Sequence, residues 1–243
     1  PEEEATGTET EPAPDATETS VSDSSSETES SPRESRVADR RQLTVLFCDL
    51  AGSTSLSGRL DPEDLREVIR SYQAVCSDVI ARYGGHIAQY QGDGILVYFG
   101  YPQAHEYDAQ HAVRTGLDII TEMARLNEQL NRDYQVKLAL RVGIHTGMAV
   151  VGEMGTGHTQ SRLAMGETPV IAAGIEGAVP HNSVGVSGTT HQLVQDVYSF
   201  IEMGDTDLKG VDTPVSVYQV SGEKEAVYEE ENIGVPFRLT SLV

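Results

Sequence analysis

Between Leu43 and Val220 the apolar positions alternate between short unbroken runs and longer runs at helical spacing. Leu43 to Phe47 is continuous and rich in β-branched residues, which predicts a strand covered on both faces. Asp61-Pro62-Glu63-Asp64 then offers an N-cap with proline at the first helical position. Leu65, Val68, Ile69, Tyr72, Val75, Cys76, Val79, Ile80 and Tyr83 recur one helical turn apart, and Gly84-Gly85 closes that helix. His86 to Tyr90 and Ile95 to Phe99 predict two strands joined by the tight hairpin Gln91-Gly92-Asp93-Gly94. A second helix is expected from about His105 to Leu130, with Ala109, Ala112, Val113, Leu117, Ile120, Met123, Ala124 and Leu130 on its apolar stripe. Leu138 to Ile144 and Met148 to Val151 predict another strand pair turning at His145-Thr146-Gly147. A weaker helix follows from Thr168 to Ala178, then strands at Val184 to Val186, Ser199 to Met203 and Val215 to Val220.

The order strand, helix, strand, strand, helix, strand is that of an α+β, ferredoxin-like βαββαβ core with extra C-terminal strands and helices. That core is expected over residues 39–221. Residues 1–38 are Glu, Ser, Thr, Pro and Ala with almost nothing to bury, the composition of a disordered acidic tail. Residues 222–243 are polar and irregular and are expected to be a linker or tail.

Charge narrows the partners. The formal net charge is −21, from 17 Lys+Arg against 38 Asp+Glu. A surface that acidic repels a phosphate backbone, which argues against a nucleic-acid partner and leaves a small metal-neutralised nucleotide admissible. The two cysteines, Cys48 and Cys76, both fall at apolar positions and are expected to be reduced core thiols of a cytoplasmic protein. No apolar run reaches the length of a membrane span. The chain begins at Pro1 rather than Met, so an upstream targeting or membrane segment is compatible with it.

The candidate chemistry lies in two segments, Phe47-Cys48-Asp49-Leu50-Ala51-Gly52-Ser53-Thr54 and Tyr90-Gln91-Gly92-Asp93-Gly94-Ile95. A carboxylate at the end of a buried strand is costly unless a cation compensates it. Two of them, brought together by strand pairing, would make a site for a hard cation such as Mg²⁺ or Mn²⁺. Taken singly, Asp93 reads as an ordinary turn aspartate and Asp49 as a loop acid. His145 reads as a structural histidine, and the seven histidines show no zinc spacing.

The segments RRQLTVLFCDLAGST, GGHIAQYQGDGILVYFGYPQAHE, LALRVGIHTGMAVVGEMG, MGETP and LKGVDTPVSVYQV resemble the class III adenylate/guanylate cyclase catalytic domain from about Arg41 to Val220. The bacterial branch often fused to a downstream ATPase is the most similar. The resemblance implies a head-to-tail dimer that converts a nucleoside triphosphate, with ATP the expected substrate, to a cyclic nucleotide and pyrophosphate. It implies that Asp49 and Asp93 are the catalytic, metal-binding aspartates, with the carbonyl of Leu50 completing the shell. Ala51, Gly52, Ser53 and Thr54 would form the phosphate-binding turn, with Arg141 and Lys209 as further phosphate contacts. Arg141 pairing with a nearby carboxylate is the competing reading.

The complementary half departs from the family pattern. The base-recognition positions are Gln89 and Leu163, where a lysine and an Asp, Thr or Ser are usual. The transition-state Asn and Arg positions are Val170 and Gly174. All four belong to one half-site. The resemblance therefore implies either a homodimer with weak activity or one half of a heterodimer that needs a cyclase-like partner chain. A catalytically silent nucleotide-binding regulatory module and a purely structural dimerisation domain are the alternatives. The Gly92-Asp93-Gly94-Ile95 turn lacks the adjacent acidic and aromatic residues of a diguanylate cyclase.

Overall fold

A computed structural model describes residues 39–154 and 161–224. The expectations for the tail at 1–38 and for the segment after 224 lie outside the described residues.

In chain order the elements are β1 (Asp39–Ala51), α1 (Ser53–Leu56), α2 (Pro62–Arg82), β2 (His86–Gln91), β3 (Gly94–Phe99), α3 (Asp108–Asp133) and β4 (Ala139–Met154). They continue as β5 (Ser161–Met165), α4 (Glu167–Ala178), β6 (Ser183–Ser187), α5 (Gly188–Val194), β7 (Tyr198–Thr206) and β8 (Val215–Glu223). The sheet runs β2-β3-β1-β4-β6-β8-β7, with β5 paired to β4. The segment β2-β3-β1-β4 has the strand order of a ferredoxin-like core. No helix among the described residues is long and apolar enough to cross a membrane.

Two-residue alternation along β1 explains how one strand feeds two cores. Leu46, Cys48 and Leu50 point into the larger core, where α2 contributes Val68, Tyr72, Cys76, Val79 and Ile80, and α3 contributes Val113, Ile119, Met123 and Leu130. Leu43, Val45 and Phe47 point the other way, toward Leu96, Tyr98, Ala149, Val151 and Ala172 of α4. Continuing that alternation puts Asp49 on the α4 face. Both cysteines are free and buried, as expected. Cys48 Sγ lies 3.4 Å from the Tyr72 hydroxyl.

One expectation fails. The expected strand pair is instead the single continuous strand β4, which starts at Ala139 and pairs with β1 in register from Ala139 to Val151. His145-Thr146-Gly147 therefore sits mid-strand. Thr146 faces a buried hydroxyl chain, with Thr44 Oγ1 at 2.9 Å and Thr190 Oγ1 at 3.1 Å. His145 is buried with Nδ1 2.7 Å from Ser187 Oγ, and burial pushes its pKa down to about 4. It is a neutral structural residue. The glycines of β4 admit α4 rather than reverse the chain. A Cβ at Gly147 would lie 2.8 Å from Thr168 Oγ1, and one at Gly143 would overlap the Ala172 carbonyl oxygen and the Glu176 amide nitrogen.

Asp61 stands at the N-cap of α2 in extended backbone, with Pro62 following as expected, but its side chain makes no capping hydrogen bond. The short helices α1 and α5 were not anticipated. Each is at most seven residues, too short to leave a periodic signature.

Candidate active site

Strand register brings the two aspartates together. In the β1–β3 pair Cys48 opposes Ile95, so the next residue, Asp49, meets the start of β3 at Gly94. Asp93 immediately precedes Gly94, in a two-residue turn whose Gly92 is left-handed at φ 69°. A Cβ on Gly94 would lie 3.4 Å from Asp49 Oδ1 and 3.2 Å from the Phe47 ring, so only glycine leaves the Asp49 carboxylate room over the hairpin. Gln73 of α2 donates from Nε2 to the Gly92 carbonyl at 3.1 Å and ties the turn to the helix.

The two carboxyl groups are electrostatic neighbours. Burial raises the Asp49 pKa to about 6, with further upward pushes from the Asp93 charge and the hydrogen bond between the two groups. The Leu50 amide and the Arg141 charge pull it down by less. Asp93 Oδ2 is buried and has no hydrogen-bond partner among the described residues.

Arg141 is the direct cross-strand partner of Asp49 in the β1–β4 ladder. Its Nε lies 2.8 Å from Glu176 Oε1 on α4, an ion pair whose angle falls outside hydrogen-bond alignment. Its Nη1 reaches the Gly177 carbonyl at 3.4 Å. Of the two roles expected for Arg141, pairing with a carboxylate is the one seen here. Burial raises the Glu176 pKa against the lowering pull of Arg141. Asp49, Asp93 and Glu176 against Arg141 leave two uncompensated negative charges when all are ionised. That excess and the orphaned Asp93 oxygen fit a divalent cation. Among the described residues no three His, Cys, Asp or Glu side chains form a self-sufficient metal cluster, so two carboxylates would need oxygen ligands from backbone, phosphate or water.

The turn after β1 follows at once. Gly52 is left-handed at φ 74°, and the Ser55 amide and hydroxyl both donate to its carbonyl, at 2.9 and 2.7 Å. Ser53, Thr54, Gly92 and Asp93 line one cavity of about 760 Å³, whose far wall is α2.

Gln89 lies on β2 and accepts from Gln91 Nε2 at 3.3 Å. Leu163 lies on β5, opposite Gly152 of β4. The adjoining Ala164 amide donates to the buried Tyr98 hydroxyl at 2.9 Å, anchoring β5 over β3. Val170 and Gly174 lie on α4 under the loop that carries Lys209. A Cβ on Gly174 would stand 3.0 Å from Leu208 Cβ and Cδ1, and one on Gly210 would stand 3.4 Å from Val170. The room an arginine stem would need at Gly174 is occupied by Leu208. Lys209 itself is exposed beside the buried Leu208. Gln73 and Glu176 were not singled out from the sequence, because a single polar residue within a helix has no pattern of its own.

Metal affinity should follow the Asp49 proton. Its carboxyl must be ionised to coordinate, and its folded pKa lies above the ordinary 3.8. Apparent Mn²⁺ affinity is therefore full above pH 7, is lost as pH falls through about 6, and is about tenfold weaker at pH 5 than at pH 7. Calorimetric titration at several pH values measures this, and a flat profile from pH 7 to 5 would refute it.

The family model described as "Adenylate and Guanylate cyclase catalytic domain" matches residues 36–222. Adenylate cyclase 1 of Rhizobium meliloti is 31% identical over 205 residues, covering 84% of this chain and 31% of that protein. The adenylyl cyclase CyaB from P. aeruginosa superposes with a TM-score of 0.74 at 31% identity, covering 77% of this chain and 97% of the solved one. The guanylyl cyclase Cya2 gives the same TM-score, 0.74, at 32% identity, covering 79% and 97%. Across eight curated relatives that it matches, the chain spans between 12% and 38% of their length.

Proposed function

The chain belongs to the adenylate and guanylate cyclase catalytic domain family, and on that premise we propose that it is the metal-and-phosphate half of a nucleotide cyclase. The reaction is conversion of ATP to cyclic AMP and pyrophosphate in intracellular signalling, completed by a cyclase-like partner chain. The observation that carries this reading is the Asp49–Asp93 pair, brought together by strand register with one Asp93 oxygen left buried and, among the described residues, unpartnered.

Asp49 and Asp93 hold the negative charge that a divalent ion, Mg²⁺ or Mn²⁺, neutralises, with the Leu50 carbonyl beside them. When bound, such an ion supplies Lewis-acid polarisation of the ribose 3′-hydroxyl and screening of the triphosphate. Backbone amides of Ala51, Gly52, Ser53 and Thr54 receive phosphate oxygens. Arg141, held by Glu176, presents the rest of its guanidinium to the phosphates, and the exposed Lys209 adds a further positive charge. The 3′-oxygen loses its proton and bonds to the α-phosphorus, and the α–β bridging bond breaks to release pyrophosphate.

The second half of the reaction field is missing from this chain. Valine at 170 cannot hydrogen-bond a ribose oxygen, and glycine at 174 brings no guanidinium to the pentavalent phosphorus. A preorganised charge of that kind is worth about 10²–10³-fold in rate. Purified chain with Mn-ATP should therefore turn over at least about 10²-fold more slowly alone than when mixed with a homologue that supplies Asn and Arg. Rapid cyclic-nucleotide formation by the lone chain would sink the partner requirement. A second reading, a silent nucleotide-binding regulatory module, is favoured by the packing of Leu208 against Gly174. Nucleotide binding with no turnover in any mixture would select it. The 0.74 match to both an adenylyl and a guanylyl cyclase leaves the base to be fixed by product analysis with each nucleotide.

A further inference from the structure

The phosphate-loop cavity has a basic wall that neither the family match nor the motifs account for. Arg66 and Arg70 line it from α2, one helical turn apart and so on a shared face, together with Ser53, Thr54 and Ser57. Among the described residues neither guanidinium has a hydrogen-bond or ion-pair partner, in a chain whose net charge is −21. Carboxylates are abundant here, so two adjacent unpaired arginines facing a cavity are placed for an anion from outside. Asp93 closes the other side of the same cavity. The hydrogen bond from Gln73 to the Gly92 carbonyl fixes how far that wall stands from the Asp93 turn.

We propose that Arg66 and Arg70 form a pyrophosphate subsite, which receives the terminal phosphates of the bound nucleotide and then the released pyrophosphate. This rests on the triphosphate reading of Asp49 and Asp93 and adds residues on a different element. Guanidinium pairs bind phosphate oxygens bidentately, whereas the 3′-hydroxyl and the base offer them nothing comparable. The subsite therefore discriminates by the number of phosphates. It retains pyrophosphate and leaves the α-phosphoryl end to the Asp49–Asp93 side.

The test uses the full chain and isothermal titration with inorganic pyrophosphate in the presence of Mg²⁺. Both arginines are exposed on a helix surface, so Arg66→Gln/Arg70→Gln keeps the fold, verified by circular dichroism. The double variant should bind pyrophosphate at least about tenfold more weakly, and Arg66→Lys/Arg70→Lys should recover part of that loss. Unchanged pyrophosphate affinity in the glutamine variant, with loss in Asp49→Asn/Asp93→Asn, overturns the subsite and leaves the metal site standing. Binding that survives the asparagine variant but not the glutamine variant upholds the subsite and overturns the metal reading. No binding by the unaltered chain overturns the subsite outright.

Discussion

Asp49→Asn should abolish most of the cyclic-nucleotide formation measured when this chain is mixed with a complementary cyclase domain. The expected loss is about 10²–10³-fold, since metal stabilisation of developing phosphoryl charge is worth several kcal/mol and each 1.36 kcal/mol is tenfold. Without metal the same variant should be more thermostable than the unaltered chain. Ionised Asp49 is buried against Asp93, and its raised pKa means that the native state loses stability as pH rises from about 4 to about 6. Asparagine removes that repulsion at neutral pH. A variant that loses activity because it misfolds would show the opposite change in melting temperature, so the two measurements together separate a catalytic role from a structural one. Full activity of Asp49→Asn would contradict the assignment.

Gly143→Ala should be the most damaging alanine substitution among the described glycines. The added Cβ would overlap the Ala172 carbonyl oxygen and Glu176 amide nitrogen, and would lie 2.9 Å from Glu176 Cα. These are backbone atoms of a helix and cannot swing aside as a side-chain end can. Either α4 lifts from β4 or β4 bends, at a cost of about 3 kcal/mol or more. For a domain of this size that is a fall in melting temperature of about 6–12 °C. Lifting α4 also carries Glu176 away from Arg141, so the damage should reach the site as well as the fold. Gly177→Ala is the control on the same helix. Nothing lies within 4 Å of its Cβ, and alanine is the better helix former, so that variant should be neutral or slightly stabilised. Differential scanning calorimetry of the pair would settle it, and equal melting temperatures would refute the packing argument.

The same glycine shows where sequence reading succeeded and where it failed. The convergence of Asp49 and Asp93 was legible because each sits at a sharp change from apolar to polar, and because β1 next to β3 is forced by the βαββαβ order. The helix α2 was legible to within a residue because its apolar stripe and its proline and glycine limits agree. The continuity of β4 was not. His145-Thr146-Gly147 has the composition of a turn, and only α4 packing on this strand, its backbone at Gly143 and the Thr168 side chain at Gly147, explains small residues in mid-strand. The Arg141–Glu176 pair was also hidden, since its members are 35 positions apart and the parallel β4–β6 crossover brings them together. Arg66, Arg70 and Gln73 look in sequence like the solvated face of an amphipathic helix. What distinguishes them is the Asp93 turn across the cavity, which belongs to another part of the chain.

Counting bound Mn²⁺ by electron paramagnetic resonance, with a non-hydrolysable ATP analogue at pH 7.5 (within the window where Asp49 is ionised), is the most direct trial of the carboxylate pair. The unaltered chain should sequester manganese, and Asp49→Asn/Asp93→Asn should leave it free in solution. Equal sequestration by both would show that the ion, if held at all, is held elsewhere.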